Sequence, residues 1–118
     1  NEVVSMFKSC ADRVAFLHLR STQHEGDGNF YEAGHLEGRV DMYEMVKAVC
    51  AEQIRRREAG RADWRIPFRP DHGHDIMDDL AKGPCPNPGY HAIGRMRGLA
   101  EIRGLELGIM RSHFPQAL

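Results

Sequence analysis

One short segment concentrates residues that could do chemistry. It reads Arg69-Pro70-Asp71-His72-Gly73-His74 and follows the run at 64–68, which we interpret as the end of a buried strand. A carboxylate and adjacent imidazoles can ligate a metal or move a proton, and the glycine lets backbone approach a ligand. Pro-Asp and His-Gly pairs also favour ordinary turns, and the segment by itself fits a turn somewhat better than a site. The rest of the chain must decide, because ligands and catalytic groups collect at strand ends in parallel α/β folds.

A second set of polar side chains follows another apolar run. His18 lies near the end of the run at 14–19, where it could bind a metal or, as most lone buried histidines do, form a hydrogen bond within the core. Residues 20–40 form a long polar, glycine-rich loop, and such loops are often lids or binding loops. The Phe30-Tyr31 pair, with Glu32 and His35 nearby, favours a loop that packs over something rather than a mobile surface excursion.

The elements that must position these residues alternate along the chain. Apolar spacing predicts a helix over 2–10, a strand over 14–19, a helix from Asp41 with a capping box at Glu44, a strand over 65–68 and a helix ending near His113. Long loops occur only after the strands, which is typical of a (β/α) barrel with its active face at the strand exits. Two strands cannot close a barrel that needs eight, so the chain is either the C-terminal part of one larger barrel domain or a smaller two-strand unit. We expect residues 1–118 to be part of the barrel, because two strands alone would leave both edges unpaired.

Composition limits the function classes. The chain of 118 residues is 28% charged and 42% hydrophobic, which is typical of one globular domain. A formal charge of -1 gives no general attraction to nucleic acid or anionic membranes, and no apolar run is long enough for a membrane helix. The three cysteines, an odd number, argue against a disulfide scaffold and favour a reducing cytoplasm. We expect Cys10 and Cys50 to be packing residues.

Five segments together resemble the mannonate dehydratases of hexuronate breakdown. They run in the family's order and extend across nearly the whole chain, so the set is a strong signal although His-Leu-Arg alone would be weak. The resemblance implies the C-terminal βα units of a xylose-isomerase-like TIM barrel, an α/β fold. It also implies a hydro-lyase that uses Mn2+ or Fe2+ to convert D-mannonate to 2-dehydro-3-deoxy-D-gluconate. The segments are 18–20 (His-Leu-Arg), 30–33 (Phe-Tyr-Glu-Ala) with 35–36 (His-Leu), 40–43 (Val-Asp-Met-Tyr), 69–74 (Arg-Pro-Asp-His-Gly-His) and 88–90 (Pro-Gly-Tyr) with 92–95 (Ala-Ile-Gly-Arg).

The resemblance also implies roles for individual residues. His18 and Asp71 match two metal ligands, and His72 and Tyr90 match the acid/base pair, with the order of base and acid left open. The family's other protein ligands, a cysteine and a histidine, have no counterpart here. Arg20 leaves the same strand as His18, and it could equally bind the substrate carboxylate or form a salt bridge at the barrel rim. Weaker candidates for substrate contact are His74, Glu32 and His35.

Two other functions fit the same residues less closely. One is another divalent-metal enzyme of this barrel group, such as a sugar isomerase or an endonuclease. The other is an inactive barrel fragment that serves only as an assembly or interaction segment, which the missing ligands favour. We expect a small sugar acid as the partner, and neither nucleic acid nor membrane. We also expect a homo-oligomer in the full-length form, in which the glycine-bearing third helix is buried.

Overall fold

The computed structural model describes residues 2–118. It contains three α-helices, four short β-strands and three short 3-10 segments. The α-helices are α1 (Glu2–Cys10), α2 (Met42–Glu58) and α3 (Ala92–His113). The strands are β1 (Leu17–Leu19), β2 (Thr22–Gly26), β3 (Asn29–Glu32) and β4 (Phe68–Pro70). The 3-10 segments span Ala11–Arg13, Met77–Lys82 and Pro115–Ala117.

The two predicted strands form a parallel pair, β1 with β4, but both are shorter than predicted. The second strand begins at Phe68, where the predicted strand over 65–68 ends. The residues before Phe68 do not join the strand ladder through their amides, because Ile66 N donates to the Gln53 side chain at 3.0 Å and Pro67 has no N–H to donate. The register places His18 opposite Arg69, so the polar segments that follow both strands start at the same edge.

The prediction that residues 20–40 form a loop without secondary structure was wrong in part. The segment contains an antiparallel hairpin of β2 and β3, so the count of two strands was too low. Its tip has positive φ angles at Gly26 (99°), Asp27 (48°) and Gly28 (79°). Asp-Gly favours tight hairpin turns for this reason, and the pair at 27–28 was the signal that could have predicted the hairpin.

The helices follow the predicted pattern closely. Asp41 caps α2, since its Oδ1 accepts from the Glu44 N–H at 3.0 Å. In α3, Gly94 and Gly98 lie against other segments, where an added Cβ would be 2.1 Å from His74 O and 2.4 Å from the His35 ring. The core lies between the three helices and β1. Its buried members are Val4, Phe7, Ala11, Leu19, Met42, Met45, Val46, Val49, Cys50, Ile66, Ile102 and Ile109.

Three consecutive arginines at 55–57 lie in the last turn of α2, where their charges complement the helix dipole and would be expected to face solvent. Arg55 and Arg57 are exposed. Arg56 is only 1% exposed, and its guanidinium reaches backbone carbonyl groups outside its own helix. None of the helices within residues 2–118 combines the length and the apolar character needed to cross a bilayer.

The cysteines differ in accessibility, and this can be tested. Cys50 is buried as predicted, and burial, with the nearby Glu106 charge, raises the pKa of its thiol to about 11. Cys10 is exposed, so the prediction that it is a packing residue was wrong. We expect a thiol reagent at pH 8 to modify Cys10 in the folded protein and to leave Cys50 unmodified until denaturant is added. A Cys50→Ala variant should lose only the label that appears on unfolding; fast labelling of Cys50 without denaturant would contradict the buried position.

Candidate functional site

The parallel strands bring His18 and Asp71 together. Asp71 N donates to Leu19 O at 2.8 Å, which extends the β1–β4 ladder by one residue beyond β4. The His18 Nδ1 atom then lies 3.5 Å from Asp71 Oδ1. The Arg69 Nε atom donates to the other His18 ring nitrogen, Nε2, at 3.2 Å. The arrangement orients the imidazole so that one nitrogen faces the carboxylate.

The segment after β4 packs closely against the start of α3 at Gly73 and carries His72 beside Asp71. Gly73 N donates to Gly89 O at 2.8 Å, and an added Cβ at Gly73 would lie 2.5 Å from Gly94 O. A side chain at position 73 would therefore force this segment away from α3. The His72 Nε2 atom lies 3.6 Å from Asp71 Oδ2, so adjacent residues direct their polar atoms to one place.

The tautomer of His72 follows from its partners. The Nδ1 atom lies 2.7 Å from Pro88 O. A carbonyl oxygen can only accept a hydrogen bond, so Nδ1 must carry the proton and Nε2 has the free lone pair when the ring is neutral. The base-competent nitrogen is therefore the one that faces Asp71.

Tyr90 completes the group. Its hydroxyl donates to Asp71 Oδ1 at 2.9 Å, and its ring lies edge-on to His72 with centroids 4.6 Å apart. The hydrogen bond to Asp71, together with burial, raises the pKa of Tyr90, so the phenol keeps its proton more firmly than usual. Burial acts to raise the pKa of Asp71, but the Tyr90 hydrogen bond and the charges of His72 and His18 outweigh it and hold that pKa below its ordinary value.

Arg20 and Glu32 form a pair behind this group. The Arg20 Nε atom donates to both carboxylate oxygens of Glu32 at 3.0 and 2.9 Å, and a terminal guanidinium nitrogen contacts Oε1. Glu32 Oε1 also lies 3.5 Å from His72 Nδ1. The pair connects the β2–β3 hairpin to His72. The salt bridge that we considered for Arg20 is present, and its side chain remains 40% exposed.

The other predicted histidines lie farther back. His74 Nδ1 donates to Glu32 O at 2.8 Å, and its ring contacts Tyr31. His35 is fully buried, and its Nε2 atom donates to Leu19 O at 2.9 Å. The structure thus brings together His18, Asp71, His72 and Tyr90, with Arg20, Glu32 and His74 next to them. It places His35 in the interior behind β1 rather than among the exposed groups.

Sequence reasoning missed two residues next to the site. Arg69 orients His18, and Asp79 is a buried carboxylate that binds the first amides of α3. The strand register with His18 could have indicated Arg69. The start of α3 at His91 and Ala92 has no Ser, Thr, Asp or Asn to cap it, which could have indicated a remote cap.

The donor set fits part of a divalent metal site. His18 Nδ1 and Asp71 Oδ1 are 3.5 Å apart, less than two metal–ligand bonds of about 2.1 Å each, so the spacing lets both atoms reach one ion. Because His18 Nε2 accepts from Arg69, the neutral ring carries its proton on Nδ1, and metal binding at Nδ1 would require that proton to move to Nε2 and the Arg69 bond to break. Imidazole and carboxylate together suit manganese, iron and zinc. Among residues 2–118, however, no group of three or more His, Cys, Asp or Glu side chains is arranged to hold a metal. Within residues 2–118, His18 and Asp71 are thus two candidate ligands for such an ion.

Comparisons with known proteins identify the family to which the chain is similar. The family model described as D-mannonate dehydratase (UxuA) matches residues 1–116. The chain is 50% identical over 105 residues to a mannonate dehydratase of Saccharophagus degradans, covering 89% of this chain and 26% of that protein. It is 44% identical over 117 residues to a mannonate dehydratase of Rhizobium meliloti, covering 97% of this chain and 29% of that protein.

A solved structure is similar as well. The crystal structure of mannonate dehydratase from Streptococcus suis serotype 2 superposes with a TM-score of 0.68 at 29% identity, over 93% of this chain and 28% of that one. The chain therefore spans between a quarter and a third of the length of these relatives. Because the family match extends over nearly the whole sequence, this chain belongs to the mannonate dehydratase (UxuA) family.

Proposed function

We propose that the protein acts in the metal-dependent dehydration of D-mannonate to 2-dehydro-3-deoxy-D-gluconate, a hydro-lyase reaction of hexuronate breakdown. The observation that carries the proposal is the convergence of Tyr90 and His72 on Asp71 at the exit of a parallel strand, in a chain of this family. Activity of the whole enzyme is a proposal because the chain covers only 26% and 29% of the two related sequences.

We propose that His18 and Asp71 hold the Mn2+ or Fe2+ ion. When bound, the ion would stabilise the negative charge that develops on a sugar-acid carboxylate as the adjacent proton leaves. A catalytic metal usually has three protein ligands. We therefore expect further ligands besides these two, as the family resemblance implies.

The hydrogen bonds favour one assignment of the proton-transfer roles. His72 is the base, because its Nδ1–H is fixed on the Pro88 carbonyl and its Nε2 lone pair is free to take the C2 proton. Tyr90 is the acid, because its hydroxyl carries a proton, now donated to Asp71, that it could give to the departing C3 hydroxyl. The two rings are in contact, so both groups can reach neighbouring carbons of one substrate.

The remaining predicted residues have supporting roles in this proposal. The exposed part of Arg20 would bind the substrate carboxylate while Glu32 holds the guanidinium in place. His74 joins the β2–β3 hairpin to the segment that carries Asp71 and His72, through its bond to Glu32 O. His35 holds the end of β1 through its bond to Leu19 O. We further propose a cytoplasmic homo-oligomer. Open space beside Gly104 and Gly108 on α3 leaves room for close approach of another chain.

A direct assay tests the proposed reaction. The protein, treated with a chelator and then supplied with Mn2+, is incubated with D-mannonate, and the 2-keto product is measured. We expect product only after Mn2+ is added back, whereas D-gluconate, the C2 epimer, should give little. Absence of product with metal bound would contradict the dehydratase assignment.

A non-enzymatic assembly segment is the second candidate function. It is favoured by the lack of a three-ligand metal group within residues 2–118. Counting bound Mn2+ per chain separates the two proposals. A chain that binds no Mn2+ and forms no product would support the assembly segment, whereas one bound ion per chain would argue against it.

A further inference from the structure

The start of α3 is capped by a residue from a distant part of the chain. His91 occupies the N-cap position without a side-chain bond to the helix, and the first turn contains no acidic residue. Asp79 supplies the missing acceptors: its Oδ1 accepts from Ile93 N at 3.1 Å and its Oδ2 from Gly94 N at 2.7 Å. A carboxylate at a helix N-terminus satisfies free amide groups and complements the helix dipole.

The segment that carries Asp79 is arranged around this contact. Met77–Lys82 exposes its large apolar side chains, since Met77 is 74% and Leu80 is 71% accessible, while Asp79 is 1% accessible. Met77 also adopts a φ of 53°, a conformation that non-glycine residues rarely take. Because its large apolar side chains face solvent, this segment is attached to α3 mainly through the Asp79 carboxylate.

The helix start that Asp79 holds is in contact with the candidate site. Tyr90 lies two residues before α3, and Gly94 packs against the backbone of Gly73 and His74 without room for a side chain. Because these contacts are close, a shift of the helix start would move both Tyr90 and the segment that carries His72.

From this geometry we infer that Asp79 is a positioning residue, which fixes the start of α3 so that the Tyr90 hydroxyl meets Asp71 beside His72. The inference rests on the proposed function only in giving Tyr90 and His72 a part in proton transfer. The structural statement, that Asp79 determines where Tyr90 lies, holds whether or not the protein dehydrates mannonate.

Graded substitutions test the inference. Asp79→Ala removes both acceptors and Asp79→Asn keeps one, so we expect a larger effect from alanine and partial rescue by asparagine. Asp78→Asn, at the exposed neighbouring position, is the matched control and should behave as the unmodified protein. With D-mannonate and Mn2+, we expect kcat to fall by about 10- to 100-fold in Asp79→Ala with little change in KM, since small misplacement of a catalytic group has effects of this size.

A second readout does not depend on activity. With 3-fluorotyrosine incorporated, Tyr90 gives one of the three tyrosine 19F signals, assigned through Tyr90→Phe. We expect the Tyr90 signal to move in Asp79→Ala, less in Asp79→Asn and not in Asp78→Asn, while the Tyr31 and Tyr43 signals stay in place. If the melting temperature falls but the Tyr90 signal stays in place, Asp79 is only a helix cap and the inference is overturned. A moved Tyr90 signal in a protein without mannonate dehydratase activity would support the positioning role and contradict the proposed function.

Discussion

Replacing His72 by asparagine is expected to reduce kcat by about 10²- to 10⁴-fold, the range for loss of a general base, while Mn2+ binding stays intact. The asparagine amide can still donate to Pro88 O, so position 72 keeps its hydrogen bond. It has no basic lone pair to replace the Nε2 atom that faces Asp71. The measurement is steady-state turnover of D-mannonate alongside a Mn2+ titration of the same preparation.

Asp71→Asn is the matched variant, and in contrast to His72→Asn it should weaken Mn2+ binding. The amide oxygen can still accept from the Tyr90 hydroxyl, but the negative charge that binds a cation is lost. We expect Mn2+ affinity to fall by at least about tenfold, since even changes outside the ligand set can cost that much. Equal loss of metal in both variants would contradict the separation of a metal ligand from a base at these adjacent positions.

The sequence allowed part of the candidate site to be predicted, because the positions of His18, Asp71 and His72 depend on strand pairing and on local backbone geometry. Parallel strands end at one edge, so His18 and Asp71 had to be near each other once both strands were recognised. A close backbone approach at Gly73 could also be expected, because glycine has no side chain, and the structure has one against Gly94. Which atoms face each other could not be predicted, because the His72 tautomer depends on the Pro88 carbonyl, 16 residues away.

Residues held by long-range contacts were beyond sequence reasoning. Nothing near Glu32 in the sequence indicates that it pairs with Arg20, because the hairpin that joins them was expected to be a loop. The sequence of a polar segment also does not show whether a histidine in it is buried or exposed. His35 is fully buried in the structure. Asp79 acts through backbone amides, which have no sequence signature of their own.

Arg56 shows the same limit in the fold, and its replacement gives the largest expected loss of stability. It lies in a run of three arginines that reads as a solvated helix end, yet its terminal nitrogen atom donates to Ala11 O at 2.6 Å and to Val14 O at 2.8 Å. Another guanidinium nitrogen donates to Asp63 O at 3.0 Å. These carbonyl groups belong to the segments that lead into β1 and β4, so Arg56 joins both strands to α2.

The Arg56 guanidinium is balanced by Glu52. Its Nε donates to Glu52 Oε1 at 2.9 Å, and Glu52 also pairs with Arg55. The Arg55 hydrogen bond, against the effect of burial and with help from Arg56, lowers the pKa of Glu52 from 4.5 to about 2. Because the folded pKa is depressed, this stabilisation is present above pH 4.5 and is lost as the pH falls toward 2.

Arg56→Met is expected to lower the free energy of unfolding by about 3–5 kcal/mol, the cost of removing one partner from a buried charged network. Methionine fills similar space but leaves the Val14 and Asp63 carbonyl groups without the Arg56 donor, and Ala11 O keeps only the Val14 N–H at 3.2 Å. Losing these donors in a largely buried place is costly. Urea unfolding at pH 7 measures the loss. Arg57→Met in the same run is the control: it removes an exposed hydrogen bond to Ala117 O and a contact with the Trp64 ring, so it should cost no more than about 1 kcal/mol.

Lysine at position 56 separates charge from geometry. It keeps the positive charge next to Glu52, but a single ammonium group cannot reproduce a planar guanidinium that donates in several directions. We therefore expect Arg56→Lys to be closer to Arg56→Met than to the unmodified protein. If lysine restored full stability, the charge pair with Glu52 would be the dominant contribution, and the bonds to the segments before β1 and β4 would count for little. The strands that carry His18 and Asp71 would then owe their position to the β1–β4 hydrogen bonds and to apolar packing rather than to Arg56.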